Sequence, residues 1–173
     1  MIFLKLKELK KIVDKLKKEN KVIVFTNGCF DVLHIGHVRY LKEAKKLGDI
    51  LIVGVNSDDS VKILKGKTHP IVPEKERAEI LDSLEFVDYV IIFNEVNPEN
   101  LISQLRPDIH VKGGNYQIEE ISEAKLVESL GGKTVILKEI KGKSTSSIIQ
   151  SILRLYRKSE VKSKNKRLKE DKK

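Results

Sequence analysis

The chain has 173 residues, 40% of them apolar and 34% charged, with no Trp, one Cys and one Met. That length and balance suit one domain with one core, and they exclude a disordered chain, a disulfide scaffold and a multidomain assembly. The formal charge of +9 sits at the ends: residues 1–21 hold eight lysines against three acidic residues, and residues 159–173 hold seven basic residues against three acidic ones, so residues 22–158 are neutral.

A neutral body has no means of tracking a polyanion, so no nucleic acid is expected as its partner. The basic ends read either as solvated lysines on a helix and a flexible tail or, for the tail, as a contact to RNA or an anionic membrane. Cys29 alone can form neither an internal disulfide nor a four-thiolate zinc site, which fits a reducing compartment. Lysines from Lys5 onward interrupt any signal-peptide stretch, and nowhere do about 18 apolar residues run together. A soluble cytoplasmic protein without a membrane partner is expected. The domain should occupy residues 1–158, with residues 159–173 as a basic tail.

In chain order, Leu9, Ile12, Val13 and Leu16 recur at helical spacing and predict an amphipathic helix over residues 4–19. An apolar run at 22–25 reads as the first strand, turn residues follow, and a helix resumes over 36–46. The alternation continues with strand 50–55, helix 57–64, a Gly and Pro loop over 65–73 and helix 74–84. Next come strand 87–93, helix 98–105 and strand 109–112, then helix 122–130 ended by Gly131 and Gly132, strand 133–137 and a last helix over 145–157. The strands are continuous apolar runs, as in a parallel sheet covered on both faces. The expected fold is therefore an α/β, Rossmann-like, doubly wound parallel sheet of five strands with helices on both faces. Ligands of such sheets bind at the carboxyl ends of the strands, where the strand order switches.

The loop after the first strand reads Thr26-Asn27-Gly28-Cys29-Phe30-Asp31-Val32-Leu33-His34-Ile35-Gly36-His37. Gly28 is expected to permit a tight turn that aims backbone N–H groups at a phosphate. His34 and His37, three apart at a helix start, put two imidazoles on one side. Gly36 leaves room for a phosphate to approach the positive helix end. Either imidazole alone could be a satisfied structural group, and a metal site would lack a third ligand. Cys29 reads as a packing residue, with no base partner to make it a nucleophile.

His34-Ile35-Gly36-His37 after a first strand resembles the signature of the nucleotidyltransferase superfamily, which includes cytidylyltransferases, adenylyltransferases and the much longer class I aminoacyl-tRNA synthetases. Residues 25–31 resemble more narrowly the adenylyltransferase domain of the bifunctional heptose kinase and adenylyltransferase family. The resemblance continues in order through residues 20–153. Asn56, after the second strand, can meet a ligand, or Ser57 and Asp58 can simply cap the next helix. The loop from Lys65 to Pro73 is similar to the family's nucleotide-contacting lysine loop, which implies that Lys65 and Lys67 close over phosphates; on composition alone they are solvated. Arg77 is similar to a family arginine on the nucleotide, with a surface salt bridge as its alternative. Lys112-Gly113-Gly114-Asn115-Tyr116 resembles the family's acceptor segment, with Asn115 in place of an Asp. Gly142-Lys143-Ser144-Thr145-Ser146-Ser147 resembles the family's Gly-x-Ser-Thr-Thr motif, or is an ordinary helix cap. His69 and His110 read as structural.

The resemblance implies transfer of AMP from ATP to a sugar 1-phosphate, with heptose 1-phosphate as acceptor and pyrophosphate as the other product. Catalysis would fall to His34, His37, Lys65 and Lys67. Nucleotide contacts would come from residues 26–31, Gly36, Arg77, Gly142, Ser144, Thr145 and Ser146, and acceptor contacts from Asn56, Lys112, Gly113 and Asn115. Mg²⁺ would ride on the triphosphate, a homodimer is implied, and the chain has no room for the sugar kinase domain of bifunctional members. Glycerol-3-phosphate cytidylyltransferase, flavin adenylyltransferase and a noncatalytic nucleotide sensor are the alternatives. All of this requires the histidines and the hydroxyl-rich turn to serve one triphosphate pocket.

Overall fold

The computed structural model describes residues 1–3, 5–114, 117–138, 142 and 144–156. It divides into two compact units, Met1–Glu139 and Ile140–Lys173. The first unit is the α/β body. Its elements are β1 (Ile2–Phe3), α1 (Leu6–Lys18), β2 (Ile23–Gly28), α2 (Ile35–Lys45), β3 (Ile50–Asn56), α3 (Asp58–Lys65), α4 (Glu74–Asp82), β4 (Tyr89–Phe93), α5 (Glu99–Leu105), β5 (Ile109–Gly113), α6 (Ala124–Ser129) and β6 (Lys133–Leu137). A 3₁₀ turn over Ile118–Glu120 precedes α6. In the second unit, α7 spans residues 145–156.

The sheet is parallel throughout, in the order β1-β4-β3-β2-β5-β6. It has six strands where five were expected. The added edge strand, Ile2 opposite Val90 and Phe3 opposite Ile91, is two residues long and too short to carry a periodicity. The helix expected over 4–19 starts at Leu6, because Lys5 before it is still extended. Strand β2 runs on to Gly28, because Thr26, Asn27 and Gly28 pair with Val53, Gly54 and Val55 of β3 despite their turn chemistry.

Alternate residues of each strand feed two cores. Val24, Leu51, Val53, Val55, Val90 and Val111 pack against Leu41 and Ala44 of α2 and Ala78 and Leu81 of α4. Ile23, Phe25, Ile52, Ile91 and Phe93 pack against Leu9 and Val13 of α1, Leu101, Ile102 and Leu105 of α5, and Val127 of α6. Both faces are thus covered, which is why the strands read as unbroken apolar runs. From β2 the chain winds outward to β3 and β4, then returns to place β5 on the other side of β2. The order switches between β2 and β5, and the crevice at their carboxyl ends is where this architecture accepts ligands. Among the described residues, no helix is long and apolar enough to cross a membrane.

Candidate active site

The segment from β2 to α2 builds one wall of the switch-point crevice. His34 is the N-cap of α2, and its Nδ1 accepts the Gly36 N–H at 3.1 Å. With Nδ1 engaged as an acceptor, a neutral His34 ring carries its proton on Nε2. The His34 and His37 rings are stacked, 3.9 Å between centroids and 20° between planes. Phe30 meets His37 edge-on at 5.4 Å. Burial, then the neighbouring His34, then the Lys65 charge push the His37 imidazole down to about 4, so it is neutral at pH 7. Two rings in van der Waals contact cannot both hold a proton cheaply, and such a pair next to a helix N-terminus is placed for an anion to supply the counter-charge.

The left-handed residue of this segment is Phe30, at φ 47°, and not Gly28. At Gly28 a Cβ would lie 3.2 Å from the Phe30 ring that packs on His37, a tight contact that would press on that ring. Thr26 is fully buried, and its hydroxyl lies 2.7 Å from the Tyr40 hydroxyl, which donates to the Val111 carbonyl at 2.9 Å. That chain ties β2, α2 and β5 together. Tyr40 stands one helical turn after His37, a spacing that could have flagged it. Its ring would be 3.1 Å from a Cβ at Gly113, so Gly113 lets the end of β5 lie against α2.

Several of the expected ligand residues have partners inside the protein. The buried Asp31 carboxylate accepts the Ile71 and Val72 N–H groups at 2.8 and 2.9 Å and contacts His69 Nδ1 at 3.2 Å. Burial alone would raise the Asp31 carboxyl; the Val72 N–H, His69 and the Ile71 N–H outweigh it and hold the group below its ordinary value. Arg77 is 1% exposed. Its Nε donates to the Val72 carbonyl at 2.9 Å, one terminal nitrogen donates to the Cys29 carbonyl, and the other pairs with Asp58 at 2.8 Å. Together Asp31 and Arg77 strap the 66–73 loop to the β2–α2 segment. Lys65, exposed at the end of α3, is near enough for its charge to act on His37 and Cys29, whereas burial dominates the Cys29 thiol and raises it. Lys67 is exposed two residues further on, beyond Gly66 at φ 95°. Asn56 is buried, and its amide donates to Ser60 Oγ at 2.8 Å and to the Glu95 carbonyl at 3.3 Å.

On the other side of the crevice, Lys112 Nζ lies 3.2 Å from Asn27 Oδ1 and 3.0 Å from Glu123 Oε1. Glu123 was not foreseen; its place just before α6, after Ser122 and next to the end of β5, is the only signal. Burial would raise its carboxyl, but Lys112, with the Glu123 N–H and the Ser122 hydroxyl, outweighs burial and leaves it below its ordinary value. Asn115 lies outside the described residues. In the second unit, Gly142 has φ 74° and Ser144 caps α7: its Oγ accepts the Ser147 N–H and the Ser147 hydroxyl oxygen accepts the Ser144 N–H, each at 3.2 Å. Thr145 and Ser146 open that helix. Among the described residues, no group of three or more His, Cys, Asp or Glu side chains could hold a metal ion.

Residues 25–167 match the family model described as cytidylyltransferase-like. Among curated proteins, the bifunctional protein HldE of Syntrophotalea carbinolica is 48% identical over 86% of this chain and 30% of its own length. That of Geobacter metallireducens is 50% identical over 84% of this chain and 30% of its own length. The chain thus spans under a third of the curated relatives it matches. A crystal structure of the lipopolysaccharide core biosynthesis protein from Thermoplasma volcanium GSS1 is 34% identical, with a TM-score of 0.59, over 71% of this chain and 99% of that one.

Proposed function

The chain belongs to the cytidylyltransferase-like family, and on that footing we propose that it transfers AMP from ATP to a heptose 1-phosphate, releasing pyrophosphate and forming ADP-heptose. The observation that carries this reading is the stacked His34–His37 pair at the N-terminus of α2, beside the switch point of the sheet. The near half-identity to bifunctional HldE proteins and the Lys112-Gly113 segment favour heptose over other acceptors.

The acceptor phosphate has a second pKa of about 6, so its oxygen is already a nucleophile at pH 7 and no general base is required. The protein's task is to align that oxygen with the α-phosphorus and to stabilise charge on the phosphate oxygens. His34 donates through Nε2–H, His37 supplies a second imidazole, and Lys65 and Lys67 bring cations from the adjoining loop. Gly36 and the backbone of residues 28–31 offer close approach to phosphate. Mg²⁺ enters with the triphosphate as part of the substrate. The reaction is assigned to the cytoplasm, where ATP is available, and to a homodimer.

Pyrophosphate release tests the reading. ATP with D-glycero-β-D-manno-heptose 1-phosphate should be turned over, while CTP with glycerol 3-phosphate and ATP with flavin mononucleotide should not. Preference for either of the latter pairs moves the activity elsewhere in the family, and release with none of them points to a nucleotide sensor.

A further inference from the structure

Beneath the crevice lies a polar cluster that neither the histidine pair nor the lysine loop uses. His110, the second residue of β5, is 0% exposed. Phe25 is its neighbour in the β2–β5 ladder, and the two rings stack at 5.8 Å between centroids with 22° between planes. His110 Nε2 lies 3.4 Å from Asn27 Oδ1, and Lys112 Nζ lies 3.2 Å from the same oxygen. Both neighbours of Oδ1 are nitrogens, and one is an ammonium with no lone pair to offer. This fixes which branch of the Asn27 amide is oxygen. The other branch, Nδ2 with two N–H donors, therefore points away from His110 and Lys112. Asn27 is half-buried at the carboxyl end of β2, next to the switch point.

We propose that His110 is a positioning residue of the site: it locks the Asn27 side chain so that the amide nitrogen donates to a phosphate oxygen of the bound substrate. This rests on the nucleotidyl-transfer reading above and adds a role for a histidine that the motifs leave as structural. His110 Nδ1 is buried and has no hydrogen-bond partner. A neutral ring with one proton must place it on one nitrogen, and Asn27 Oδ1 is the acceptor within reach, so the proton sits on Nε2. Protonating Nδ1 as well would bury a second N–H without an acceptor, close to the Lys112 ammonium. Glu123, paired with Lys112 at 3.0 Å, balances that ammonium and keeps it seated against Asn27. The result is a donor of fixed direction, made by groups that themselves need not touch the substrate.

A double-mutant cycle on the full chain tests this by calorimetry with ATP and by KM for heptose 1-phosphate. His110→Phe keeps a ring against Phe25 and removes both nitrogens. It should weaken phosphate binding about fivefold, and Asn27→Ala about tenfold, on the scale of one oriented hydrogen bond. In the Asn27→Ala background, His110→Phe should change nothing further. A shift in ATP affinity alone identifies the oxygen as the nucleotide's; a shift in heptose 1-phosphate KM alone identifies it as the acceptor's. A His110→Phe loss that persists without Asn27, or no loss at all, overturns the proposal. The wild-type chain gives a readout that needs no variant: its imidazole ¹⁵N shifts should report His110 as the neutral Nε2–H tautomer at pH 7. The Nδ1–H tautomer or an imidazolium overturns the proposal even where the variant fails to fold. ATP binding without transfer to any sugar phosphate defeats the proposed function and leaves the cycle readable on ATP. Normal ADP-heptose formation with an additive cycle defeats the positioning role alone.

Discussion

At His34 and His37, ring contact at 3.9 Å sets the chemistry. Two imidazoles that close share one environment, and a proton on either opposes a proton on the other. Burial then decides the case for His37, which stays neutral well below pH 7. A bound phosphate reverses the balance, because its negative charge favours protonation and strengthens each N–H bond it receives. Replacing either histidine with Ala should lower pyrophosphate release by at least ~100-fold, the scale of losing one charge-stabilising donor. Thermal melting should show the variants folded, and turnover within a few-fold of wild type in both would remove the histidines from the reaction. Arg77 calls for a different outcome. Its guanidinium is buried and spends Nε and both terminal nitrogens on Val72, Cys29 and Asp58. Arg77→Lys cannot reproduce that fork, and Arg77→Ala leaves Asp58 and two carbonyls without their donor. The alanine variant should lose about 3 kcal/mol of stability in urea unfolding. A loss under ~0.5 kcal/mol would mean that the fork is dispensable.

At the level of elements, the 66–73 loop follows the same logic. Lys65 and Lys67 are exposed, yet the second half of the loop is tied down where Asp31 accepts from Ile71 and Val72. Asp31→Ala removes two charge-assisted bonds and should cost about 1–3 kcal/mol. It should also speed trypsin cleavage after Lys65 and Lys67, since the loop would open more often; an unchanged cleavage rate would show that Asp31 does not hold it. Much of this architecture was legible in the sequence, because β3 and β4 are nearly continuous apolar runs, β2, β5 and β6 each hold a shorter apolar stretch, and the helices between them keep their period. The edge strand Ile2–Phe3 was not, since two residues have no pattern and its existence depends on β4 being next to it. The histidine pair could be found because both members lie in one short motif. Ile71 is 40 positions from Asp31, and Asp58 and Cys29 are 19 and 48 positions from Arg77, so local reading has no access to these partners. The contact of His110 with Asn27, 83 residues earlier and one strand over, was out of reach for the same reason.

For the whole molecule, the buried histidines set how the body responds to acid. His110 is fully buried, and burial, with Lys112 adding to it, holds its imidazole down at about 4 against an ordinary value near 6.5. The unfolded chain therefore binds a proton at His110 from about pH 6.5 downward while the folded chain refuses it until about pH 4. More protons bound in the unfolded state means that stability rises with pH across that window and falls as the solution is acidified. For His110 the loss amounts to about 3 kcal/mol by pH 4. His37 acts in the same direction to a smaller extent, being closer to solvent. Asp31 and Glu123 are depressed carboxylates, so their contributions are full above their ordinary values of 3.8 and 4.5 and are lost as the pH falls from there through the lowered ones, at the acid end of this range and below. A net charge of +9 that grows with every proton taken up adds self-repulsion to the acid side. Urea unfolding from pH 7 to 4 should thus show a steep decline in wild type and a shallower one in His110→Phe, which has no proton to take up. Parallel curves for the two chains would mean that His110 is protonated equally in the folded and unfolded states, and that the β5 core is wetter than its packing against Phe25 implies.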